Sequence, residues 1–170
     1  MLVGSSAWLV NLTLVSQLNL PEGPTKVLEG LINELPLVPT ILAIAVLPAV
    51  AEEIVFRGVL ARSLARQHRP WLAVVMSAAV FGIYHLVPQQ VVATFLLGCL
   101  LGFFTLRSRS LLPAMVIHFL NNAIAVVVSR DGTGWLERHA AASVIGASVL
   151  TAAGIALALA SPRGSGGLVA

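Results

Sequence analysis

Between Leu2 and Ala160 the chain is a succession of apolar runs, set off from one another by charges, prolines and glycines. Several of these runs approach the roughly 20 residues that an α-helix needs to cross the hydrocarbon core of a bilayer. A water-soluble globule of this length cannot be built from such a chain. Residues are 58% hydrophobic and 10% charged, against roughly 25% charged in average soluble chains, and mean hydropathy is +0.94. The fold class expected is all-α: a polytopic membrane protein with a bundle of about six transmembrane helices. Residues 1–160 read as a single transmembrane domain, and 161–170, rich in Gly and Ser, as a disordered tail.

The expected spans are Leu2 to Leu20, Leu37 through Pro48 to Leu64, Trp71 to Val87, Val91 to Leu106, Leu111 to Ser129 and Ala140 to Ala160. The first lacks the basic start and small-residue cleavage site of a secretory signal. Pro21 to Pro39, with four prolines and three glutamates against Lys26, reads as an external loop. Gly98 and Gly102 form a small-residue stripe suited to close helix approach. The single cysteine, Cys99, lies in an apolar run, which rules out an internal disulfide framework.

The net charge of +3 does not point to nucleic acid, because the basic residues stand singly or in short clusters without interleaved aromatics. Their placement is topological. Arg62, Arg66, Arg69, Arg107, Arg109 and Arg163 all fall on one side of the expected spans. By the positive-inside rule that side is cytoplasmic, so both termini are expected inside. Arg130 and Arg138, balanced by Asp131 and Glu137, are assigned to an outer loop, and His68 and His139 to surface positions.

Glu52 and Glu53 are the only acidic residues inside an apolar run. A charge at the centre of a span costs roughly 2.5 to 3.5 kcal/mol on insertion scales, so this pair with Arg57 needs a function. Glu53 and Arg57 are four apart and can pair across one helical turn. With α-helical geometry Glu52 is rotated about 140° from Arg57 and faces elsewhere, free for chemistry. Pro48 has no N–H for the carbonyl of Ile44 and can bend the helix beside Glu52.

His85, in Phe81-Gly82-Ile83-Tyr84-His85, and His118, four before Asn122, are further polar residues in apolar runs, with Asn121 adding a second amide. At about 1.5 Å per residue from the arginine-rich loops, Glu52 and His85 lie at roughly 21 and 22 Å, and His118 and Asn122 at roughly 12 and 18 Å. The last two are lower unless the fifth span starts deeper, and tilt can absorb the difference. The bland alternatives are a structural ion pair, packing histidines, a core aromatic at Phe81, or the proton relay of a transporter. A Glu, two His and an Asn suit peptide-bond hydrolysis, in which a base activates water and donors hold the oxyanion. An aspartyl mechanism lacks a second intramembrane Asp, a His-Glu-x-x-His zinc motif is missing, and Ser148 has no base near it in sequence.

Glu52-Glu53-Ile54-Val55-Phe56-Arg57, Phe81 to His85, and His118 to Asn122, in that order and each in an apolar segment, resemble the three signatures of the CPBP family of membrane proteases. This family comprises CAAX prenyl proteases and bacteriocin-processing proteins, and the resemblance covers roughly Pro48 to Ala125. It implies a helical membrane endopeptidase with an intramembrane catalytic cavity, its core within 37–130. Glu52 would be the base, His85 would hold or polarise water, and His118 with Asn122 would form the oxyanion site. Glu53, Arg57 and Phe81 would be supporting residues. The family is often labelled metalloprotease. No metal is the expectation here, with zinc held by Glu52, His85 and His118 as the alternative.

The partners implied are the lipid bilayer and a membrane-associated peptide or protein substrate, with no nucleic acid; the location implied is a prokaryotic cell membrane. Family members commonly have more helices, whereas this chain begins almost directly with the span before the core. The runner-up function is a noncatalytic membrane scaffold or bacteriocin-immunity factor that uses the same polar cluster to bind a partner.

Overall fold

A computed structural model describes residues 34–86 and 88–131, with isolated positions 30, 32, 156 and 160. The expected first and sixth spans, most of the loop between Pro21 and Pro39, the tail, and the positions of Arg138, His139 and Ser148 lie outside the described residues. Every element among the described residues is helical. We label them α1 (Leu37–Gln67), α2 (Pro70–Tyr84), α3 (Pro88–Ser108) and α4 (Leu112–Asp131). They correspond to the middle four apolar runs.

These helices bury polar groups and expose apolar ones, the reverse of a soluble bundle. Along α1, Val38, Leu42, Leu47, Val50, Ile54, Val55 and Val59 are exposed, whereas Thr40, Glu53 and Arg57 are 0% exposed. Only a surrounding solvent as apolar as leucine makes that arrangement favourable, and α1, Gln90–Ser108 in α3 and Leu112–Arg130 in α4 are each long and apolar enough to span a bilayer.

The run from Trp71 to Val87 forms a shorter element than expected. α2 ends at Tyr84, and its 15 residues rise only about 22 Å, less than the roughly 30 Å hydrocarbon core. His85 caps it, and Leu86 takes the left-handed conformation with φ 58°. The chain therefore turns at membrane depth, at the residue that the sequence singles out.

Close packing holds α2 and α3 as an antiparallel pair. A Cβ on Gly82 would lie 2.8 Å from the Val91 carbonyl oxygen, one on Gly98 3.0 Å from Ala78 Cβ, and one on Gly102 3.2 Å from Val74. The expected glycine stripe on α3 thus faces α2, and Gly82 on α2 allows the same close approach from the other side. α2 is tied back to α1 by Ser77, whose buried hydroxyl donates to the Phe56 carbonyl at 2.9 Å.

α1 and α4 run antiparallel along a series of polar rungs. Arg130 at the end of α4 donates to Thr40 Oγ1 at 2.9 Å and to the Leu35 carbonyl. Arg130 is therefore not a loop residue, as its neighbouring charges suggest, but the clasp between the two helices at that end. At the other end Arg62 Nη2 approaches the carbonyl of Arg109 at 3.4 Å.

α1 departs from α-helical geometry in two stretches, Leu42–Val46 and Glu53–Ala61, which are π-helical. The first lies just before Pro48, where the missing N–H disrupts the regular ladder. The second covers most of the Glu-Glu-x-x-x-Arg segment, a place where π turns often mark functional sites. The 140° separation expected of Glu52 and Arg57 rests on α-helical geometry that residues 53–61 do not have.

Candidate active site

The centre of the bundle is a network around Glu53. Its Oε1 accepts from Arg57 Nη1 at 2.9 Å and from His118 Nδ1 at 2.9 Å. Glu53 and Arg57 are both 0% exposed, and the pair forms across one turn as the spacing suggests. The Arg57 guanidinium carbon lies 4.2 Å from the centroid of the Phe81 ring, a cation–π contact in a desolvated setting. Gly98 makes room for this guanidinium, since a Cβ there would lie 3.2 Å from Nη2.

His118 joins the two glutamates. Its Nδ1 bonds Glu53, and its Nε2 lies 3.8 Å from Glu52 Oε2. A carboxylate can only accept, so the Glu53 bond places a proton on Nδ1 and turns Nε2 toward Glu52. Glu52 itself makes no ion pair with Arg57 among the described residues. Its side chain is 20% exposed, and Oε2 is buried without a hydrogen-bond partner. Both adjacent carboxylates keep a buried Oε2 without a hydrogen-bond partner, but only Glu53 is tied down, through Oε1, by Arg57 and His118.

Sequence spacing puts His118 too low to meet the glutamates, and the loop geometry explains the discrepancy. The Arg62–Arg109 contact sets the start of α4 level with Arg62, not with Arg66. From Arg62 to Glu53 is as many residues as from Arg109 to His118. Consistent with this register, Leu111 lies against Gly58.

His85 stands beside this network but is not bonded into it. Its Nδ1 lies 2.9 Å from the Phe81 carbonyl, and because a carbonyl only accepts, Nδ1 carries a proton and Nε2 is the ring nitrogen outside this bond. Among the described residues His85 makes no hydrogen bond or ion pair with either glutamate. Phe81 is the link, its ring centroid 4.9 Å from that of His85 and 6.0 Å from that of His118, both edge-on. Phe56 packs edge-on against Phe81 at 4.9 Å and tilted against Tyr84 at 5.4 Å.

Asn122 lies one turn beyond His118 on α4, and its Nδ2 donates to the Ile44 carbonyl at 3.1 Å. That carbonyl is the one Pro48 leaves without its usual i+4 N–H. Asn121 Nδ2 in turn donates to Asn122 Oδ1 at 3.1 Å. His118 and Asn122 thus hang from different partners, the first from Glu53 and the second from the backbone of α1.

The roles of Glu53 as the acceptor that orients His118, and of Ser77, Thr40 and Arg130 as interhelix ties, are absent from the sequence reading. No signal short of the tertiary register could have found them, because their partners are 21 to 95 residues away. As to metal, no group of three His, Cys, Asp or Glu side chains that could hold an ion is present among the described residues. Of the ring nitrogens, His118 Nδ1 is bonded to Glu53 and His85 Nδ1 to the Phe81 carbonyl.

A family model described as Rce1-like, type II CAAX prenyl endopeptidase, matches residues 34–124, just over half of the chain. The match includes Glu52, Glu53, Arg57, Phe81, His85, His118 and Asn122. No curated protein and no solved structure matches the chain.

Proposed function

Because the chain belongs to the Rce1-like, type II CAAX prenyl endopeptidase family, we propose that it hydrolyses a peptide bond of a membrane-associated peptide or protein, with Glu52 as the base that activates water. The observation that carries this reading is the state of the two carboxylates. Glu53 is fully buried and bound through Oε1 to both Arg57 and His118, whereas the Glu52 carboxyl makes no hydrogen bond among the described residues and its side chain is 20% exposed, with Oε2 3.8 Å from His118 Nε2.

In the reaction Glu52 takes a proton from water as the water oxygen bonds to the scissile carbonyl carbon. The carbonyl π electrons move onto oxygen, and this oxyanion is met by the second Nδ2 hydrogen of Asn122 and by His118 Nε2–H. When the tetrahedral species collapses the C–N bond breaks, and the proton held by Glu52 passes to the leaving nitrogen. His85 Nε2 accepts from the water's other hydrogen and so orients it.

Water reaches this depth where α2 stops. Non-helical backbone within the hydrocarbon region is tolerated only where protein covers it or water lines it, and His85 and Leu86 sit at that break. Phe81 walls the site and holds Arg57. No metal takes part in this scheme. One zinc per purified chain, with cleavage lost to a chelator and restored by zinc, would replace it. We place the arginine-rich helix ends in the cytoplasm of a prokaryotic cell, with both termini inside.

The test is a deletion strain complemented with the wild type or with Glu52→Gln. A membrane-associated protein should accumulate uncleaved in the deletion and in the Glu52→Gln strain, and be processed with the wild type. A fully wild-type phenotype for Glu52→Gln would instead favour a noncatalytic scaffold or immunity factor.

A further inference from the structure

We propose that Asn121, which belongs to none of the three motifs, is a positioning residue that fixes the orientation of the Asn122 amide. The inference rests on the reading of Asn122 as an oxyanion donor. Two bonds hold that amide at opposite ends: its Oδ1 accepts from Asn121 Nδ2, and its Nδ2 donates to the Ile44 carbonyl, each at 3.1 Å. In the reversed orientation Oδ1 would face the Ile44 carbonyl oxygen and Nδ2 would face the Asn121 amino group, so both contacts would become repulsive. Only one orientation satisfies both neighbours, and it is the one that points an N–H-bearing group toward α1.

Asn121 does little else. Among the described residues its amide makes no other side-chain hydrogen bond, and its Oδ1 is buried with no partner. A polar side chain kept at membrane depth with half of its amide unsatisfied is costly, and its one bond falls on the neighbouring amide. The relay ends on Ile44 because Pro48 cannot supply the helical N–H to that carbonyl. Pro48, Ile44, Asn122 and Asn121 therefore act as one unit: the proline opens an acceptor, Asn122 bonds it, and Asn121 sets which way Asn122 points.

The experiment uses the full chain in detergent micelles, with a quenched, farnesylated peptide ending in a CAAX sequence as the probe. Asn121→Leu keeps the volume, removes the donor and favours membrane insertion. It is expected to lower kcat about tenfold with KM within twofold of wild type, a part of the roughly 10²- to 10³-fold effect of losing an oxyanion donor outright. In an Asn122→Ala background Asn121→Leu should cause no further loss. Asn121→Gln, which retains the donor, should recover most of kcat.

Independently of any substrate, the Asn122 side-chain amide signals of ¹⁵N-asparagine-labelled protein, identified by their loss in Asn122→Ala, should move in Asn121→Leu toward values averaged over two orientations. Unmoved signals, or losses that add in the double variant, would overturn the role of Asn121 while leaving Asn122 intact. Wild-type kcat in Asn122→Ala alone would instead overturn the oxyanion reading on which the inference stands.

Discussion

Removing the charge of Glu53 separates what this residue does for stability from what it does for chemistry. Glu53→Met strips the acceptor from two charge-assisted bonds, both 2.9 Å, and leaves Arg57 fully buried without its counter-ion. Two estimates of the cost agree. Breaking a buried pair by deleting one partner costs about 3 to 5 kcal/mol, and an uncompensated arginine at mid-membrane costs about 2.5 to 3.5 kcal/mol on insertion scales. A loss of about 3 kcal/mol is expected, read as a fall in the unfolding midpoint in detergent. Arg57→Met added to Glu53→Met removes the stranded charge, and apolar replacement of a whole buried pair is close to neutral or favourable. The double variant should regain most of the lost stability. Cleavage should not return with it, because His118 Nδ1 still lacks the carboxylate that orients the ring. The assay pairs thermal unfolding with kcat on the same preparations. A double variant no more stable than Glu53→Met would refute the energetic account of the pair, and a double variant with wild-type kcat would refute the claim that Glu53 orients His118.

Three further outcomes follow from particular contacts. Gly82→Ala pushes a methyl group to 2.8 Å from the Val91 carbonyl oxygen; overpacking of about 1 to 3 kcal/mol should outweigh the roughly 1 kcal/mol helix-propensity gain of Ala over Gly, and a raised unfolding midpoint would contradict it. Leu86→Gly relieves a left-handed residue with φ 58° and should stabilise by about 1 kcal/mol while loosening His85, so that kcat falls as the midpoint rises. Pro48→Ala restores a helical N–H that competes with Asn122 for the Ile44 carbonyl. Stability should rise by up to about 3 kcal/mol, the helix-interior penalty of proline, with a loss of kcat. Unchanged kcat would show that the freed carbonyl does not serve Asn122.

The four described helices were legible because apolar length and helix breakers report directly on them: Pro70, Pro88 and Pro113 stand at or within the first turn of α2, α3 and α4. The Glu53–Arg57 pair was legible from its i, i+4 spacing, and the open carbonyl of Ile44 from Pro48. The π geometry of residues 53–61 was not, since Gly58, the one poor helix former in the segment, weakens an α-helix without specifying a π turn and the widening depends on its surroundings. The union of His118 with both glutamates was half legible. The sequence put all three in one layer through either tilt or a deeper start of the fifth span, and the protein takes the second course by starting α4 level with Arg62. Arg130 misled, because proximity to Asp131 suggested a loop pair when its partners, Thr40 and Leu35, come from the other end of the described chain.

The most direct measurement is kcat of purified Glu52→Gln, a variant that keeps the shape of the side chain and removes its basicity, alongside its unfolding midpoint. The account predicts a kcat loss of about 10²- to 10⁴-fold, the range for a positioned general base, at an unchanged midpoint, since Glu52 Oε2 has no hydrogen-bond partner to lose. Cleavage at the wild-type rate by the folded Glu52→Gln protein would contradict it.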